Sequence, residues 1–98
     1  MEKDFELIEL FELYKGLLTE KQREIFSSHY IYDLSLSEIA EPDGFSRQSV
    51  YDAVKKVKAK LTEYEKTLGL YEKFNKLNEL ADRQSEPLKE EIKEIIGR

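Results

Sequence analysis

Arg47, Gln48, Ser49, Tyr51, Lys55, Lys56 and Lys58 are the residues of this chain whose types and spacing suit chemistry with a partner. Arginine can pair with a guanine edge through two hydrogen bonds and glutamine with an adenine edge. Lysines three to four residues further along a helix would neutralise phosphates as point charges. Residues 46–61 hold five basic side chains against the single acid Asp52, within a chain whose net charge is −5. Residues 1–20, 21–45 and 62–98 are each acidic on balance. The one basic segment therefore coincides with the candidate contact residues. Asp52 lies among them and repels phosphates, although a carboxylate can also accept a hydrogen bond from cytosine.

Other chemistries find little support. His29 is the only histidine and cysteine is absent, so no metal site is expected. Neither a glycine-rich phosphate loop nor a nucleophile elbow is present, and Glu90, Glu91 and Glu94 read as a solvated helix face. No catalytic residue, no cofactor and no enzymatic activity are expected. No apolar run nears the roughly 20 residues of a spanning helix, so membrane insertion is not expected. The acidic start, MEKDFELIEL, resembles no targeting segment, and a cytoplasmic location is the default.

The elements that must position these side chains are helices. Leu, Glu and Lys dominate, with two prolines and four glycines. Leu7, Leu10, Phe11, Tyr14, Leu17 and Leu18 form one stripe of a first helix over about 4–18, with Phe5, Ile8 and Leu13 widening its apolar surface. Thr19-Glu20-Lys21-Gln22 is a capping box that opens a second helix to about Tyr32, burying Ile25, Phe26 and Tyr30. Ser35-Leu36-Ser37-Glu38 is another and opens a very short third helix. Pro42-Asp43-Gly44 halts it, and Ser46 caps the next. Val50, Val54, Val57, Leu61, Tyr64, Leu68 and Tyr71 then repeat at spacings of four and three along a long helix. A break is expected at Gly69, followed by a helix over about 70–83. Ser85-Glu86-Pro87 is expected to cap a last one carrying Leu88, Ile92, Ile95 and Ile96.

The stretch from Leu36 to Tyr51 has the mechanics of a helix-turn-helix. Ala40 permits close crossing, Gly44 makes the turn, and Ile39, Phe45 and Val50 are expected to lock the two helices. Arg47, Gln48 and Ser49 stand at the helix N-terminus, the part that meets base edges when such a helix enters a major groove. The fold class is all-α: a helix-turn-helix bundle of the winged-helix-like superfamily type, with extended C-terminal helices. Residues 1–61 would form the helix-turn-helix domain. Residues 62–98 would form a helical extension that packs on it or mediates a homodimer.

Leu18-Thr19-Glu20-Lys21-Gln22-Arg23-Glu24-Ile25-Phe26, followed by Leu34 to Ala40, resembles the core of sigma-factor region 4. Together with Ser46 to Asp52, Leu61 to Glu65 and Leu70-Tyr71, the chain is similar nearly throughout to the YlxM-like family. These are helix-turn-helix proteins of low-GC Gram-positive bacteria associated with the signal recognition particle. The resemblance implies a cytoplasmic regulatory protein whose partners are components of that particle, its GTPase or its RNA. The motif itself implies a sequence-preferring, DNA-binding transcriptional regulator. In either case DNA or RNA would meet the basic helix, and a two-fold homodimer would suit palindromic DNA.

Overall fold

The computed structural model describes residues 4–97. Six α-helices follow in order: α1 (Phe5–Tyr14), α2 (Glu20–Phe26), α3 (Leu36–Ala40), α4 (Arg47–Leu68), α5 (Leu70–Asp82) and α6 (Leu88–Ile96). No strand occurs among the described residues, so the helix-turn-helix carries no β-wing there. The chain falls into two compact units, 1–67 and 68–98. The 61–62 division lies inside α4.

In the first unit, Asp4 caps α1 by accepting the Leu7 amide at 3.1 Å. Leu7, Leu10, Phe11 and Tyr14 are buried, as the stripe predicts. The expected continuation to Leu18 fails as an α-helix. Lys15–Leu17 tightens into a 3₁₀ turn around Gly16, a poor helix former. The tighter turn leaves Leu17 exposed while Leu18 stays buried. Phe5 is also exposed, and Ile8 and Leu13 are half-buried.

Both capping boxes form. Thr19 Oγ1 accepts the Gln22 amide at 3.1 Å and Gln22 Oε1 accepts the Thr19 amide at 2.9 Å. Ser35 and Glu38 exchange the same pair at 3.1 and 3.0 Å. Each box satisfies amides that have no partner inside their helix. Between them, α2 widens into a π-helical segment, Ser27–Ile31, whose register is seen in the Tyr32 amide donating to the Ser27 carbonyl at 3.0 Å. Asp33, with φ +58°, ends it. Phe26 is fully buried and stacks on Phe11 (4.4 Å between ring centroids) and on Tyr30 (4.7 Å). Ile25 and Tyr30 are half-buried rather than buried.

A 3₁₀ turn, Glu41–Asp43, follows α3, with Pro42 in its first positions. Gly44 adopts φ +69°, a conformation glycine reaches without penalty. The Phe45 amide then donates to the Ala40 carbonyl at 3.0 Å, closing the turn. Phe45 does not lock the two helices, being 53% exposed with the Lys21 ammonium 5.8 Å from its ring centroid. The crossing is held instead by buried Ala40, Val50 and Val54, against which Ile25, Tyr30, Leu36 and Ile39 pack.

Ser46 caps α4 by accepting the Ser49 amide at 3.0 Å. Val50, Val54, Val57 and Leu61 are all buried, and fully burying such side chains contributes about 1.5–3 kcal/mol each. Past Leu61 the N-terminal segment still reaches α4. The Tyr64 ring lies 5.9 Å from that of Tyr14, and its hydroxyl donates to the Leu17 carbonyl at 3.3 Å.

Gly69, at φ +63°, separates α4 from α5 where the break is expected. In the second unit Asp82 pairs with Lys93 at 2.9 Å and with Lys89 at 3.8 Å, tying α5 to α6. The Ser85 side chain does not cap α6. That helix starts at Leu88 with Pro87 in the cap position and no side-chain cap bond. Of the apolar residues assigned to α6, Ile96 is buried, Ile92 is half-buried, and Leu88 and Ile95 are exposed.

Candidate nucleic-acid interface

The first two turns of α4 carry most of the candidate residues, and its two faces differ sharply. Val50, Val54 and Val57 face the core. Arg47, Gln48, Ser49, Tyr51, Asp52, Lys55, Lys56 and Lys58 all stand in solvent. The helical repeat produces this division: residues 50, 54 and 57 recur along one stripe, and 47, 51, 55 and 58 recur along the stripe that adjoins it. None of Arg47, Lys55 and Lys56 is engaged by an acidic side chain among the described residues. Their charge is open to an anionic partner.

Individual side chains are not equally available. Ser49 Oγ donates to the Ser46 carbonyl at 2.8 Å, which commits its hydroxyl hydrogen to the cap and leaves its oxygen as an acceptor. Gln48 Nε2 donates to Asp52 Oδ1 at 3.1 Å. The Lys58 ammonium sits 5.9 Å from the Tyr30 ring centroid, a cation–π placement that holds it near the π-helical segment. Arg47, Gln48 and Tyr51 share a surface hollow of about 360 Å³ with Leu36, the first residue of α3. Asp43, in the turn, is offset by Lys21 at 3.2 Å, so its charge is partly compensated.

Sequence reasoning left His29 and Tyr30 out of this surface. The π-helical segment brings both alongside α4, where they line a second hollow with Leu36, Tyr51, Lys55 and Lys58. His29 Nδ1 lies 2.8 Å from the Leu34 carbonyl, and its ring meets Tyr30 edge-on at 5.0 Å. Regular α-helical spacing carries no signal for that placement. Among the described residues there is no group of three His, Cys, Asp or Glu able to hold a metal, and no helix long and apolar enough to cross a membrane.

Residues 1–96 match the family described as "Putative helix-turn-helix protein, YlxM / p13 like". The chain is 41% identical to the UPF0122 protein of Bacillus cereus (strain Q1), over 102 aligned residues that cover 98% of this chain and 93% of the relative. It is similar to the same extent to the UPF0122 protein of Bacillus anthracis (strain A0248).

Proposed function

The chain belongs to the YlxM / p13-like family of helix-turn-helix proteins, and we propose that it is a non-enzymatic, cytoplasmic regulator that binds nucleic acid through α4. In this reading the N-terminal turns of α4 enter the major groove of duplex DNA. Arg47, Gln48, Ser49 and Tyr51 meet base edges, while Lys55, Lys56 and Lys58 meet phosphates. The observation that carries the reading is the division of α4. Its valines are sealed in the core, while Arg47, Lys55 and Lys56 stand in solvent without acidic partners among the described residues.

The test is a binding assay at several salt concentrations with random duplex, the promoter of the protein's own operon and the RNA of the signal recognition particle. Neutralising three to five phosphates gives a log–log slope of about −3 to −4.5. A flat response removes the proposal. Preference for the promoter supports sequence reading.

The place of such a regulator in the signal recognition particle pathway rests on the resemblance to YlxM-like proteins. Recovery of the particle's protein or RNA with the tagged chain supports it, and recovery of neither removes it. A homodimer is the natural form for reading a palindrome. The second unit supports one, because Leu68, Leu77, Leu80, Leu88 and Ile95 are all exposed there. Molar mass in solution decides that point.

A further inference from the structure

The π-helical segment and α4 bound a hollow of about 280 Å³, with His29, Tyr30 and Leu36 on one wall and Tyr51, Lys55 and Lys58 on the other. Its composition differs from that of the hollow lined by Arg47 and Gln48 at the start of α4. Two phenol rings and a leucine offer apolar area, and two ammonium groups supply positive charge beside them. His29 adds one directional group. Its Nδ1 faces the Leu34 carbonyl oxygen, which only accepts, so Nδ1 carries a hydrogen there.

A fully paired duplex makes poor use of such a site. Its bases are stacked on one another and present edges, so the exposed ring of Tyr51 would have nothing to stack against. An unpaired base exposes a π-face, and stacking on aromatic side chains beside a cationic groove is how single-stranded segments are held. The volume falls just below the range of about 300–1,000 Å³ common for small-ligand clefts, which suits one nucleotide rather than a longer stretch. The walls are also well supported. Tyr30 continues the Phe11–Phe26 stack, and Lys58 lies over its ring.

We propose that this hollow receives one unpaired nucleotide, its base against the exposed Tyr51 ring and its phosphate at Lys55 and Lys58. The inference rests on α4 being a nucleic-acid-binding helix and adds a preference for strands that carry a bulged or unstacked base. The phosphate charge is the same for DNA and RNA, and the assay distinguishes the two sources.

The test compares a paired DNA hairpin with the same hairpin bearing a single bulged 2-aminopurine, and repeats both in RNA. The expected result is about tenfold tighter binding of the bulged form in at least one nucleic acid, with loss of 2-aminopurine emission on stacking. His29→Ala should shrink that advantage while binding the paired hairpin like the parent chain. Circular dichroism confirms that the variant folds, and the emission change on the parent chain tests stacking independently of it. Equal affinity for bulged and paired hairpins with unchanged emission overturns the inference and leaves the duplex reading standing. Binding to none of the four overturns both.

Discussion

The side-chain amide of Gln48 donates to Asp52 Oδ1 at 3.1 Å, one turn along the exposed face of α4. An acid and a base-reading glutamine are thus coupled in the middle of the proposed contact surface. Gln48 keeps a second N–H and its Oε1 for a base, while Asp52 keeps its negative charge near the phosphates. Asp52→Asn keeps the side chain's size and removes the charge. The expected outcome is about fivefold tighter binding to duplex at low salt, equivalent to about 1 kcal/mol, with the gain shrinking as salt screens it. Weaker binding on one particular sequence would instead identify Asp52 as a reader of cytosine.

Lys55 and Lys56 contribute charge, so their removal should act on every sequence alike. The double substitution Lys55→Gln, Lys56→Gln is expected to make the salt slope shallower by about 1.8 if both meet phosphates. Arg47→Ala is expected to behave differently. It should weaken the preferred site by about 1–3 kcal/mol and change random-duplex binding much less. Titrations of both variants on both duplexes separate the two roles, and equal losses everywhere would deny Arg47 a reading function.

Much of this architecture is written locally. The two capping boxes, the glycines at 44 and 69 and the valine repeat each act within a turn or two, and each appears where the sequence places it. Three features escape such reading. Leu17 turns outward because a 3₁₀ turn replaces the last turn of α1. Phe45 lies under Lys21 instead of wedging the turn, since Ala40 with Val50 and Val54 already fills that crossing. The π-helical segment, which brings His29 and Tyr30 beside α4, leaves no mark in hydrophobic spacing. The candidate contact residues were legible because charge and helical phase agree along α4. Their neighbours across the hollow were not.

Tyr14 offers a test of the fold alone. It is only 2% exposed, and its hydroxyl donates to Glu65 Oε1 at 2.6 Å, far along α4. A hydrogen bond to a charged acceptor contributes more than a neutral one, so Tyr14→Phe is expected to destabilise the protein by about 1–2 kcal/mol. The ring contact with Tyr64 should survive. Chemical denaturation measures the loss, and affinity for duplex should stay unchanged because neither residue belongs to the contact face. A change in affinity without a change in stability would contradict this assignment.

Glu38 ties stability to pH. The Ser35 amide, followed by the Ser35 hydroxyl, holds its carboxyl below the usual value of 4.5. A carboxylate bound this way favours the folded chain while it is ionised. Its contribution is therefore complete above the unfolded value and is lost as pH falls through the lowered folded one. Asp82 adds to the same trend in the second unit, where its hydrogen bond from Lys93 is the main cause of a lowered pKa. Glu38→Gln keeps an oxygen that can accept the Ser35 amide, so the capping box can persist without a charge. The parent chain should melt higher than Glu38→Gln at pH 7, and the gap should close as pH falls below about 4.5. Melting curves recorded across that interval decide the matter, since a gap that stays constant with pH would mean that the carboxylate's charge plays no part in the cap.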